Sequence, residues 1–428
     1  MFAYAQCVVE RGAVHGYLRC MTALALRRDA APSFPATEAI EPDPALLARL
    51  SAQFASTAAD HDRSGAYPRA NFEALQAEGL IALVAPRAYG GGGASLSTAR
   101  RVVAAVAKGE PATALILTMT YLQHQALSRG DSRWPAALRE RVLRDAVEEG
   151  ALINALRVEP ALGSPARGGL PATVARRTAE GWRIDGHKLY TTGIEGLGWL
   201  AVWGRTDEPE PRVGTFLVPR DAPGIRVVAS WDHLGLRASG SHEVVFEDVA
   251  ISLAHAVDLR APADWLPGAG SQTDIDAQAT QQAWMVVLLG SLYDAVARAA
   301  RDWLISFLNQ RAPSGLGAPL ATLPRVQENV GEIEALLRTN RVLIDDAVRA
   351  VDAGQAPGTV DSGLVKTTVT GNAIRVVELA LQLTGNHGLT RHNPLERHLR
   401  DVLCSRIHTP QNDAVLVAAG RHALQAAA

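Results

Sequence analysis

The chain has 428 residues, 47% hydrophobic and 20% charged, with a net charge of −2. This composition belongs to a packed protein of two or three domains and excludes a disordered chain, a collagen-like chain and a small disulfide scaffold. No basic excess draws it to nucleic acid or to an anionic membrane surface. Among 42 basic residues only Lys108, Lys188 and Lys366 are lysines, and the arginine excess beside abundant alanine reads as genome composition.

Residues 1–38 read as a leader, either disordered or lying upstream of a true start at Met21. Its apolar patches are broken by Glu10, Arg11 and Arg19, unlike a signal peptide. Residues 39–150 read as helical. Leu46, Leu47, Leu50 and Phe54 recur at helix spacing, Pro68 opens another helix, and Ser95 is a candidate N-cap after the glycine turn 90–93. Pro111 separates the following helix from the apolar segment 115–127. Residues 151–258 change to β texture. Runs 173–178 and 182–192 form a hairpin about Ala179-Glu180-Gly181, and further short runs predict a small antiparallel barrel or sandwich. Residues 259–428 return to helix, with segments near 275–310, 323–353, 361–385 and 395–427 that predict a four-helix bundle. The apolar part of 277–293 is too short to cross a bilayer.

Cys7, Cys20 and Cys404 give neither a disulfide framework nor a zinc pattern, which suits a reducing cytoplasm. His387, His392 and His398 read as solvated loop histidines rather than metal ligands, because their spacings straddle a loop. Glu396, Arg397, Arg400 and Asp401 form a charged helix face suited to structural ion pairs. No phosphate-binding glycine loop, metalloprotease helix or nucleophile elbow is present.

Several motifs in order are similar to the acyl-CoA dehydrogenase superfamily. They are Glu159-Pro160-Ala161-Leu162-Gly163-Ser164, the strand Ile184 to Gly193, the stretch Trp231 to Ser241 with Val245 to Val249, Ala380 to Gly388, and Glu396 to Asp401. The resemblance covers residues 40 to 428. It implies a helical domain, a β domain and a four-helix bundle, with a flavin between the last two. It assigns Tyr190, Thr191 and Thr192 to that flavin: Thr192 as a hydrogen-bond donor and Tyr190 as an aromatic wall. Ser164 falls in the loop that closes over flavin and substrate. Arg311, Gln382 and Gly385 fall where the family holds a neighbouring subunit's flavin nucleotide, which implies a homodimer or homotetramer.

The sequence departs from the dehydrogenase pattern at the base. The position of the usual catalytic glutamate carries Thr409, and the alternative position on the first bundle helix falls near Trp284. A flavin-contacting glutamine position falls on Pro324, which weakens FAD relative to FMN. One branch of the superfamily lacks the glutamate: the two-component monooxygenases. These take reduced FMN or FAD from a reductase, form a C4a-(hydro)peroxyflavin and commonly carry a histidine eight residues after the arginine of the Arg-Asp motif. His408 is eight after Arg400 and, with Ser164 of the closing loop, is a candidate catalytic residue. His124 is either a core or surface histidine or a residue lining the same cavity. The reading is therefore a flavin-dependent oxidoreductase, favoured as a reduced-flavin monooxygenase on a small organic substrate. An acyl-CoA dehydrogenase with a displaced base, such as Asp413, served by an electron-transfer flavoprotein, is the alternative. A non-catalytic flavin-fold protein is the second. No basic cluster visible in the sequence offers a dock for the phosphates of CoA.

Overall fold

A computed structural model describes residues 40–162, 169–266 and 269–426. Helix α1 (Pro44–Ser64) is capped by Asp43, whose carboxylate accepts from the Ala45 amide at 2.9 Å, and buries Leu47, Leu50, Phe54 and Ala58 along one stripe. Helices α2 (Arg69–Ala77), α3 (Leu96–Gly109), α4 (Pro111–Ser128) and α5 (Ala136–Glu148) complete the N-terminal layer. Ser95 caps α3 through the Thr98 amide, as its residue type predicts. Pro111 sits at the start of α4, where its missing amide proton costs nothing. Helix α4 is buried almost all round, so it is a central strut between the β domain and the bundle.

The β domain holds β1 (Leu152–Leu156), β2 (Val174–Arg177), β3 (Trp182–Thr191), β4 (Leu197–Thr206), β5 (Val213–Pro219), β6 (Ile225–Val228), β7 (His242–Ile251) and β8 (Ala256–Arg260). They form one sheet ordered β6-β7-β3-β2-β4-β5-β8, with β1 also on β4. The β2–β3 hairpin forms as expected. The sheet is mixed rather than purely antiparallel, because β1 and β2 both run parallel to β4. Alternation and turn residues report strands and hairpins, but they carry no signal for the direction of a non-local pair.

The C-terminal helices are α6 (Gln272–Gln310), α7 (Pro324–Asp352), α8 (Thr359–Thr384), α9 (Asn386–Leu389), α10 (Leu395–Leu403) and α11 (Asn412–Ala426). A capping box between Ser271 and Asp274 starts α6. By length and composition α6 is apolar enough to cross a membrane, but 83% of its most apolar window is buried in the protein, so it is a core helix. The fourth expected helix is broken. Residues 404–411 form a short 3₁₀ turn and a loop through Pro410, and this break carries His408.

One cluster ties the three layers together. The Arg400 guanidinium on α10 grips both carboxylate oxygens of Asp62 on α1, at 2.8 and 2.6 Å, and donates to the Leu234 carbonyl of the β6–β7 loop at 3.0 Å. Glu396 braces it from the same helix at 2.8 Å. Next to it, Asp401 accepts the Leu236 amide at 2.7 Å. Between these contacts the backbones nearly touch: a Cβ on Gly235 would lie 2.3 Å from the Arg400 carbonyl oxygen. Gly235→Ala forces the loop off α10 and should cost about 1–3 kcal/mol, the usual scale of overpacking. A denaturation midpoint equal to that of the parent would refute this close contact.

Candidate active site

Strand β3 ends at the candidate flavin edge. The Ser241 hydroxyl donates to Thr192 Oγ1 at 3.0 Å, and Ser239 Oγ lies 2.9 Å from Ser241 Oγ. The Thr192 hydroxyl therefore receives one proton and has its own left to donate outward. Asn154 of β1 holds the Thr192 carbonyl at 3.1 Å, and the Gly193 amide donates to the Ser239 carbonyl at 2.8 Å. Thr191 is buried, and its Oγ1 has no partner. Tyr190 adopts a positive φ of 56° and is 54% exposed as a residue. The ring stands edge-on to Trp231 and His233, which stack on each other at 3.6 Å. A flat, half-exposed ring beside a hydroxyl with a free proton and an orphaned buried oxygen is a donor set that fits the edge of a planar heterocycle.

The loop that precedes this strand is anchored from below. Lys188 is fully buried and donates to Glu159 Oε1 at 2.6 Å and to the Trp203 carbonyl. Glu159 also accepts from the Ala172 and Thr173 amides and the Thr173 hydroxyl, at 2.6, 3.0 and 2.6 Å. Burial pushes the Lys188 ammonium down to about 8. Burial alone would raise the Glu159 carboxyl, but the charge and hydrogen bonds of Lys188 hold it below its ordinary value. Ser164 lies beyond this anchor, outside the described residues.

The second half of the site is the broken helix. His408 is partly buried, and its Nδ1 is 2.7 Å from the hydroxyl of Tyr293 on α6. Burial raises the Tyr293 hydroxyl well above its ordinary value, with Cys404 and Asp401 adding to the effect, so the phenol keeps its proton. Burial, reinforced by the positive charge of Lys366, pushes the His408 imidazole down to about 4. It is neutral at pH 7, and an imidazole that accepts from Tyr293 at Nδ1 carries its proton on Nε2. Neither Tyr293 nor Lys366 stands out as functional in the sequence. Tyr293 sits inside an apolar run, and only the rarity of lysine marks Lys366.

The remaining candidates separate. Arg311 caps α6, Gln382 and Gly385 end α8, and all three are exposed. Phe307 and His387 lie 5.2 Å apart and bring these helix ends to one end of the bundle. No hydrogen bond or ion pair links the three to Thr192 or His408 among the described residues. His398 is a correction: it is buried on α10 rather than solvated, and burial pushes it down to about 3. His124 is fully buried on α4 with neither ring nitrogen partnered, and burial pushes it down to about 4. Asp413 is exposed and accepts the Ala414 amide at the start of α11. No group of three metal-ligating side chains exists among the described residues. The fold also gathers a basic cluster that the sequence hides. Arg63, Arg237, Arg391 and Arg400 line a cleft of about 290 Å³, although Asp60, Asp232, Asp62 and Glu396 pair with three of them.

Comparison with known proteins matches residues 48–131, 157–249 and 285–412 to the N-terminal, middle and C-terminal domains of acyl-CoA dehydrogenase. A putative acyl-CoA dehydrogenase, YdbM of Bacillus subtilis, is 32% identical across 86% of this chain and 93% of its own length. An L-evernosamine nitrososynthase of a Micromonospora strain is 29% identical across 86% of this chain and 87% of its own. The solved structure of KijD3 with FMN and dTDP-3-amino-2,3,6-trideoxy-4-keto-3-methyl-D-glucose is 29% identical, with a TM-score of 0.78 over 90% of this chain and 95% of that one.

Asp401 gives the site a testable pH signature. Burial raises its carboxyl from 3.8 to about 7, with the charge of Asp62 adding and the Leu236 amide opposing. Through that window the folded protein holds a proton that the unfolded chain has lost, so stability falls as pH rises and levels off above it. Asp401→Asn keeps an acceptor for Leu236 and removes the titration. The loss of denaturation midpoint between about pH 5 and about pH 8 should be smaller in the variant than in the parent. Equal losses would exclude Asp401 as the group responsible.

Proposed function

Because this chain belongs to the acyl-CoA dehydrogenase family of flavin-dependent oxidoreductases, we propose that it is a reduced-flavin monooxygenase acting on a small organic substrate. The observation that carries this reading is the state of the buried carboxylates. α,β-Dehydrogenation of an acyl thioester needs a free carboxylate, or a comparable base, at the α-carbon. Among the described residues the buried carboxylates are Glu110, Glu159, Asp294 and Asp401. Glu110 is bound by His61, Asn71 and Thr113, Glu159 by Lys188, Asp294 by Arg298 and Asn340, and Asp401 by the Leu236 amide. By the resemblance, the positions of the family's base fall on Thr409 and near Trp284. Asp413, the displaced-base candidate, is exposed and spent on its own helix.

The cofactor is a flavin. When bound and reduced, it supplies the two electrons with which dioxygen is divided between product and water. Thr192, primed by Ser241, donates a hydrogen bond to the ring edge, and Tyr190 covers the ring. Neutral His408, held by Tyr293, presents an N–H that stabilises or delivers a proton where oxygen reacts. Arg311, Gln382 and Gly385 face outward at one end of the bundle, as suits phosphate and nucleotide contacts to a partner subunit in a dimer or tetramer. A flavin reductase is the matching electron donor. Two relatives support the same direction: one is named a nitrososynthase, and the other holds FMN with a nucleotide-linked amino sugar. YdbM, named a putative dehydrogenase, keeps the dehydrogenase reading as the alternative.

One experiment separates the readings. Anaerobic addition of a panel of acyl-CoAs to the flavin-loaded protein should leave the flavin absorbance unchanged. Reduced flavin plus oxygen should oxygenate a substrate, and His408→Asn should lower that rate by roughly 100-fold or more while flavin affinity holds. Bleaching by an acyl-CoA would establish a dehydrogenase. Full oxygenation by the variant would remove His408 from the chemistry.

A further inference from the structure

Lys366 is fully buried near the start of α8 and makes no ion pair among the described residues. A buried ammonium without a counter-ion is costly, and an apolar side chain would suit a bundle core better. Its hydrogen bonds explain its presence. The Nζ donates to the main-chain carbonyl of His408 at 3.0 Å and to Asn412 Oδ1 at 3.1 Å. One charged group thus bridges the residue that carries the imidazole and the first residue of α11. Burial lowers the ammonium only to about 8, so it stays charged at neutral pH.

The neighbouring packing brings these groups within reach. Gly363 lies one turn before Lys366, and a Cβ there would come within 2.9 Å of Val415 on α11. Its bare backbone lets α11 approach closely enough for Asn412 to reach Nζ. From the other side α6 offers Tyr293, which meets the His408 ring at 2.7 Å. From α10 and the turn that follows it, Asp401 and Cys404 lie close enough to act on the Tyr293 hydroxyl. Two anchors therefore fix His408, one on its ring and one on its backbone. Either alone leaves the ring free to swing about the other.

We propose that Lys366 is a positioning residue for His408: its buried ammonium locks the 408–412 turn to α8 and so sets the direction in which the imidazole Nε2 points. The effect on turnover rests on the monooxygenase reading, but the lock itself does not. The test is ¹⁵N NMR of the histidine side chains in the flavin-free, full-length protein, with His408→Asn to assign the signal. The parent should show one neutral tautomer at His408. In Lys366→Met and in Lys366→Leu the two ring nitrogens should move toward the averaged shifts of a free imidazole. In the loaded enzyme, product formed per reduced flavin should fall at least tenfold and released peroxide should rise to match, with the substrate KM within twofold. If Lys366→Met does not fold, Lys366→Leu carries the measurement. A His408 spectrum unchanged in the folded variants overturns the proposal. A changed spectrum in a protein that oxygenates nothing upholds the lock and defeats the monooxygenase reading instead.

Discussion

The meeting of the β6–β7 loop with α10 is the constraint on which the rest of this structure depends. Leu236 gives its amide to Asp401, Leu234 gives its carbonyl to Arg400, and Gly235 brings the two backbones into contact. The same loop carries Ser239 and Ser241, which prime the Thr192 hydroxyl. The same helix leads into the break that presents His408, and its Asp401 acts on the Tyr293 hydroxyl that holds the imidazole. One interdomain contact therefore joins the hydroxyl half of the site to the imidazole half. Arg400 extends it to the N-terminal layer through Asp62.

Among the described residues each fully buried lysine is used to hold a loop. Two of the three lysines are fully buried. Lys188 has a carboxylate partner and pins the base of the loop that follows β1. Lys366 has only neutral acceptors and pins the turn after α10. A short apolar side chain could fill either space, but it could not satisfy a main-chain carbonyl in the interior. The scarcity of lysine, which reads as genome composition, thus has a structural side: most of those that remain do work that an arginine fork, larger and planar, would not fit.

Much of this was legible in the sequence because it is local. Caps such as Ser95, breaks such as Pro111 and the β2–β3 hairpin follow from neighbouring residues. Ordered motifs point to the family and to Thr192 and His408. What stayed hidden is non-local. The parallel pairing of β1 and β2 with β4 has no signature in either strand. His398 looks like a loop residue until α10 turns it inward. Tyr293 is one aromatic residue in an apolar helix, and its role appears only when residues 115 positions apart meet. The arginine cleft is assembled from three distant segments, and its charges are largely paired already.

The monooxygenase reading follows from how protons can be handled in this interior. Among the described residues the buried carboxylates all have hydrogen-bond partners, whereas the imidazole of His408 meets the Tyr293 hydroxyl. In the proposed enzyme Thr192 and His408 serve a single flavin from two sides of one interdomain contact. A crystal structure of the flavin-bound protein should show Thr192 Oγ1 and His408 Nε2 both within hydrogen-bond reach of the same flavin, directly or through one water. A flavin seated away from Thr192, or a His408 ring turned away from it, would defeat this arrangement.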